Sequence, residues 1–144
     1  MATVRDMLAK KGSDVITIAP SETVLRAAEL MNERGIGGLV VAERGRPVGI
    51  FTERDILRRV VAQQRDPTTT RVAAAMTSPV IACAPETTVE ECAAMMTAKR
   101  IRHLPVVNEQ RLAGVITIGD VLAFQVSEQQ ATIEYMHHFM FDLR

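Results

Sequence analysis

"GIFTERD", residues 49–55, and "GVITIGD", residues 114–120, share one pattern, Gly-x-x-Thr-x-x-Asp, at an offset of 65 positions. The offset extends well beyond the motif. It joins Pro20 to Pro85, Val24 to Val89, Met31 to Met96, Ile36 to Ile101, Leu39 to Leu104 and Leu57 to Leu122. "VITIAPSETV" aligns with "VIACAPETTV" without a gap. Such a match means two copies of one supersecondary unit. Upstream, Val4 and Leu8 resemble Val72 and Met76 at an offset of 68, which places a short insertion in "KKGSD".

Each copy follows the same order. A β-rich run (Val15 to Ile18; Val80 to Cys83) ends at a proline. A helix follows, with Val24, Ala27, Ala28 and Met31 on one face, or Val89, Cys92, Ala93 and Met96 in the second copy. Ser21 or Thr23 can cap its start, and Gly35 suits its end. Two apolar strands joined by hairpin-length connections, "ERGRP" and "NEQRL", lead to each motif, after which a second helix begins. The order is β-α-β-β-α, twice. One copy leaves a sheet face uncovered, so the two are expected to pack as a pseudo-two-fold pair. The expected units are 8–66 and 76–132, with "QQRDPTTTR" (63–71) as a polar connector. Residues 133–144 form an amphipathic helix outside the repeat, with Ile133, Met136, Met140 and Leu143 on its stripe.

Composition narrows the function. The chain has 144 residues, with 17 basic side chains balanced by 17 acidic ones, one Tyr and no Trp. It lacks the charge excess and stacking residues of a nucleic-acid binder. No apolar run is long enough to span a membrane, and the N-terminus has no signal-peptide layout. Cys83 and Cys92 have no metal or disulfide-scaffold spacing and are expected as buried thiols in a reducing cytoplasm. His137 and His138 point about 100° apart on a helix, so no metal is expected. Nothing resembles a nucleophile elbow or a catalytic triad, and a His103–Asp55 acid–base pair would lack a nucleophile. The chain is therefore expected not to be an enzyme. "GIGG" (35–38) fails as a dinucleotide loop, because it ends a helix and enters a strand.

Thr52-x-x-Asp55 has two readings. It is a capping box, in which threonine bonds the helix backbone and the carboxylate reaches back. It also sits at a strand-to-helix turn, whose free N–H groups suit phosphate, and its carboxylate can accept from a ribose diol. Thr117 and Asp120 repeat the pattern and therefore both readings.

The paired motifs, the "P-x-x-T-V" helix starts, "RIRHLPVV" (100–107) and the 65-residue offset together resemble the tandem cystathionine-β-synthase (CBS) domain pair over residues 8 to 130. The resemblance implies a mixed α/β sandwich of two repeats, plus the C-terminal helix. It implies a non-catalytic sensor that binds AMP, ADP, ATP, NAD(H) or S-adenosylmethionine in clefts between the copies, with no obligatory cofactor. Such modules commonly pair, so a homodimer and an unidentified regulated protein are expected, with neither nucleic acid nor membrane as partner. A degenerate pair that serves only in assembly is the alternative. Carried over by motif, Asp55 holds the ribose, with Ile50, Thr52 and Arg54 around it, and Ile16, Thr17 and Ile18 frame the adenine. Arg102, His103 and Pro105 approach the phosphate from the other copy. Thr117 and Asp120 belong to a second cleft, where Gly37 and Gly38 stand in place of Arg102 and His103. The two clefts are therefore expected to be unequal.

Overall fold

The computed structural model describes residues 1–142, and the sequence copies appear in it as two similar halves. The first comprises α1 (Val4–Lys11), β1 (Thr17–Ile18), α2 (Val24–Arg34), β2 (Gly38–Glu43), β3 (Arg46–Thr52) and α3 (Glu53–Asp55), which runs on in wider π-type turns over Ile56–Val61. The second comprises α4 (Val72–Ala75), α5 (Val89–Lys99), β4 (His103–Asn108), β5 (Arg111–Thr117) and α6 (Ile118–His137), extended by π-type turns over His138–Asp142. This is the mixed helix-and-strand architecture the repeat predicts.

Local chemistry accounts for the elements. Thr23 and Thr88 cap α2 and α5, accepting from Arg26 N and Glu91 N at 3.1 Å each. Gly35 closes α2 in the left-handed region at φ 63°. Arg44 and Gly45 turn the first hairpin with φ of 54° and 78°, and Glu109 and Gln110 turn the second with 51° and 68°. Both are hairpins with two left-handed central residues, and the second makes its turn without a glycine. Each hairpin shifts register once, after Val41 and after Val106. β1 pairs in parallel with β2, giving the order β1-β2-β3, whereas the second sheet has only β4 and β5. The expected strand over Val80 to Cys83 is reduced to one parallel bridge, Cys83 to Val106. Pro79 and Pro85 deny donors at both of its ends, and copy one has a proline on one side only.

The leading helices set the packing. Val4 and Met7 of α1 are buried in the core of the second copy, among Val89, Met96, Leu104, Ile116 and Val121. Val72 and Ala75 of α4 are buried in the first, among Val24, Met31, Leu39, Phe51 and Val60. Backbone bonds repeat this exchange: Val4 N–H donates to Thr87 O (2.8 Å) and Val72 N–H to Glu22 O (2.8 Å). The halves are thus each completed by a helix that the sequence places ahead of the other copy. The exchange also explains the motif glycines. A Cβ on Gly49 would lie 3.0 Å from Met76 Cγ and 3.1 Å from the Thr77 carbonyl oxygen, and one on Gly114 would lie 2.9 Å from Leu8 Cδ2. Leu8 and Met76 match at the 68-residue offset, so each motif glycine leaves room where a leading segment crosses its strand, and at Gly49 the Thr77 backbone adds to the crowding.

The tail differs from expectation. Residues 133–142 do not form a separate helix; they continue α6, which starts at Ile118. In copy one Asp66-Pro67 follows the corresponding helix, and no proline or glycine interrupts "SEQQATIEYMHH". Ile133, Met136 and Met140 are exposed on this helix, and Leu143 lies outside the described residues. No helix among the described residues is long and apolar enough to cross a membrane.

Candidate functional site

A cavity of about 540 Å³ opens where the second half meets the first motif. Each motif helix starts tied to the entrance of the partner strand in its own hairpin, with Glu53 N–H donating to Gly37 O (3.1 Å) and Ile118 N–H to Arg102 O (2.9 Å). The cavity is lined by Thr52, Glu53, Arg54 and Asp55 from the first half and by Arg100, Ile101, Arg102 and His103 from the second. Ile50, Pro79, Val80, Ile81 and Ile118 supply an apolar wall, and Thr77 and Thr117 add hydroxyls.

Asp55 is one of only two buried polar side chains among the described residues, at 6% exposure. The capping box is built. Thr52 N–H donates to Asp55 Oδ2 (2.9 Å), and Asp55 N–H to Thr52 Oγ1 (3.4 Å). Thr52 Oγ1 lies 3.3 Å from the same Oδ2, and Thr77 Oγ1 donates to Oδ1 at 2.9 Å. Arg59 Nε stands 3.7 Å from Oδ1, an ion pair too long for a good hydrogen bond. An ionised carboxylate offers about four acceptor positions, so capping leaves Oδ1 room for another donor. Capping and ligand binding are compatible here.

The second motif is arranged differently. Thr117 N–H caps onto Asp120 Oδ2 (2.8 Å), but Lys11, at the end of α1, also bonds that oxygen and the Val115 carbonyl (2.7 Å). Burial opposes ionisation of Asp120, yet the Lys11 ammonium and the Thr117 bonds hold its carboxyl below the ordinary range. At the 68-residue offset Lys11 aligns with Pro79, which follows the other leading helix, so Asp55 receives no such lysine.

His103 fills the seam between the halves. A Cβ on Gly38 would lie 2.9 Å from its ring, and one on Gly37 would collide with the Glu53 carboxylate. The glycine pair in copy one therefore makes room for Glu53 of its own motif and His103 of the other copy; the contrast with Arg102 and His103 is steric as well as electrostatic. Burial depresses the His103 pKa below 6.5, aided by Lys11 and Arg102 and opposed by Glu53 and Asp120. A depressed histidine stabilises the fold above its unfolded pKa, and that contribution is lost as pH falls through the folded value. Melting temperature is therefore expected to fall from about pH 6.5 to pH 5, and less steeply in His103→Gln. Parallel melting curves for the two proteins across that window would remove His103 as a cause.

Of the residues singled out from sequence, Ile50, Thr52, Arg54, Asp55, Arg102, His103 and Thr117 line one cavity. Ile16, Thr17, Ile18, Pro105 and Asp120 do not line it. Thr17 and Ile18 pair with Val40 and Val41 on the far side of the first sheet. The exchange of leading segments puts Pro79, Val80 and Ile81 of copy two beside Asp55 instead. Pro105 is buried within β4, its carbonyl accepting from Cys83 N–H. Sequence reading did not single out Thr77, Glu53, Lys99, Arg100 or Lys11. Lys11 and Thr77 reach their aspartates from elements more than 20 residues away, and no local pattern announces that. Among the described residues no three His, Cys, Asp or Glu side chains gather as a metal cluster.

Comparison with known proteins agrees with this geometry at the level of fold. A family model described as CBS domain matches residues 4–62 and again 72–127. A CBS-domain protein of Burkholderia ambifaria MC40-6 superposes with a TM-score of 0.84 at 39% identity, covering 89% of this chain and 96% of that one. The CBS domain pair of protein MJ0100, solved in complex with 5'-methylthioadenosine and S-adenosyl-L-methionine, superposes at 0.79 with 25% identity over 89% and 98% of the two chains. The CBS domain-containing protein YhcV of Bacillus subtilis is 36% identical over 59 residues, 41% of this chain and 40% of its own length. The chain thus matches less than half the length of that curated relative.

Proposed function

The chain belongs to the CBS-domain family, and from that premise we propose that it is a non-catalytic regulatory module binding an adenosine-containing ligand in the Asp55 cleft. The carrying observation is that the cavity is ordered by chemistry. A buried carboxylate with two threonine hydroxyls stands at one place, an apolar wall beside it, and arginines opposite. Asp55 accepts from the ribose hydroxyls, with Thr52 and Thr77 fixing its carboxylate. The base lies against Ile50, Pro79, Val80 and Ile81, and Arg102 meets phosphate through charge-assisted bonds. AMP, ADP, ATP, NAD(H) and S-adenosylmethionine all carry the recognised part, and the adenosine-type ligands of the MJ0100 pair support this class. Lys11 makes the Asp120 cleft the weaker site. Buried free Cys83 and Cys92 fit a reducing, cytoplasmic setting. Calorimetric titration with adenosine, AMP and S-adenosylmethionine tests the reading, and no heat with any of them would leave an assembly module.

Self-association belongs to the same proposal. Leu57, Val61, Leu122 and Val126 are exposed, and they are two pairs related by the 65-residue offset. Each pair is spaced i, i+4 on the last helix of its copy, giving a duplicated apolar stripe suited to an isologous contact with a second chain. Light scattering is expected to give a dimer, and Leu57→Asp with Leu122→Asp a folded monomer. A wild-type monomer, or a double variant of unchanged mass, would contradict it.

A further inference from the structure

Beside the Asp55 cleft lies a second cavity, of about 660 Å³, sharing Arg54, Lys99, Arg100 and Arg102 with it and adding Arg58. Among the described residues no acidic side chain lines it. Among the described residues none of these five cations is ion-paired, while Lys11 and Arg59 pair with the two motif aspartates. In a chain whose charges balance, five exposed cations without an ion-pair partner around one hollow make a local positive patch that attracts an anion.

The repeat gives an internal control. The positions matching Arg54, Arg58, Arg100 and Arg102 at the 65-residue offset are Gly119, Ala123, Gly35 and Gly37; only Lys99 has a basic counterpart, Arg34. Cations at a helix end offset the dipole, but that reason applies equally to α2 and α5 and so explains only the Arg34 and Lys99 pair. Arg100 carries a backbone cost as well. It caps α5 at φ 56°, the left-handed conformation that Gly35 adopts without strain in copy one. Arg44, Gln64, Glu109 and Gln110 share this conformation elsewhere, but of these residues Arg100 is the one that lines both cavities.

We infer that this basic cavity is the subsite for the polyanionic tail of the ligand, so that the chain takes a nucleoside di- or triphosphate in preference to a monophosphate. The inference rests on the adenosine reading above and deepens it. With ribose at Asp55 and the first phosphate near Arg102, further phosphates run toward Arg54, Arg58, Lys99 and Arg100.

Calorimetric titration of the full chain, freed of bound nucleotide and without divalent metal, is carried out with AMP, ATP and inorganic tripolyphosphate. ATP is expected to bind at least roughly tenfold more tightly than AMP at low salt, with the advantage shrinking as salt rises. Arg58→Ala, which borders only the basic cavity, is expected to weaken ATP several-fold and leave AMP within about twofold. Arg100→Gly is expected to weaken ATP while melting no lower than the wild type, because glycine removes the strain. If AMP binds and ATP binds no more tightly, the subsite is overturned and the adenosine reading stands. If no adenosine compound binds, that reading falls and tripolyphosphate decides the subsite. Binding that weakens in Arg58→Ala supports the subsite, and no binding overturns it.

Discussion

Asp55→Asn is expected to weaken binding of adenosine by roughly tenfold to a hundredfold, because hydrogen bonds to an ionised group are worth about 1.5–3 kcal/mol. The geometry explains why asparagine is the informative variant. Its amide oxygen can still accept from Thr52 N–H, and its NH2 group can donate to the Thr77 hydroxyl, so the cap survives while the charge is lost. Asp55→Ala removes the charge, the bond from Thr52 N–H and the Thr77 partner together, and leaves the Thr52 hydroxyl as cap. It should cost about 1–3 kcal/mol for leaving Thr52 N–H without its charged acceptor, and more for leaving Thr77 unmatched. Titration and thermal melts on both variants separate the roles. Unchanged adenosine affinity in Asp55→Asn, with Asp55→Ala strongly destabilised, would reduce the residue to a helix cap.

The second large effect follows from the exchanged helices. Cutting the chain in the connector, between residues 66 and 67, is expected to give two fragments that do not fold alone. The first fragment carries α1 without the core that buries Val4 and Met7, and its own core lacks Val72 and Ala75. The second has the converse defect. Mixed at equal amounts, they are expected to recover the circular dichroism of the intact chain. A point variant gives the same information more gently. Met7→Ala should cost about 2–5 kcal/mol, a large share of an ordinary domain's stability, and should loosen the half containing α5 and β4 first. Hydrogen exchange reads this directly. A folded first fragment, or Met7→Ala loosening chiefly α2 and β2, would contradict the exchange.

Much of this architecture was legible because a duplicated unit leaves duplicated residues. The 65-residue offset located both hairpins, both capped helices and both Thr-x-x-Asp caps, and the threonines and aspartates take those positions. The matching of Val4 and Leu8 to Val72 and Met76 at offset 68 was also visible. What it did not disclose is that each leading helix crosses to the other core. A sequence pattern records which face of a helix is apolar, but not which of two near-identical cores receives it. Three consequences were hidden with it: the reason for glycine at 49 and 114, the placing of Pro79 to Ile81 instead of Ile16 to Ile18 beside Asp55, and the Lys11 contact with Asp120. The continuous helix from Ile118 was hidden for another reason. Aligning the copies draws attention to where they stop matching, at Val126, although nothing in the sequence stops the helix there.

The central claim is that an adenosine group occupies the cavity between Asp55 and the Pro79–Ile81 wall. Photolabelling with 8-azido-AMP, followed by peptide mapping, tests it most directly, because the label reports both ligand class and place. The account predicts labelling of the segment carrying Pro79 to Ile81, suppressed by excess adenosine or AMP and strongly reduced in Asp55→Asn. Label concentrated on Ile16 to Ile18, or label that neither competitor suppresses, would contradict it.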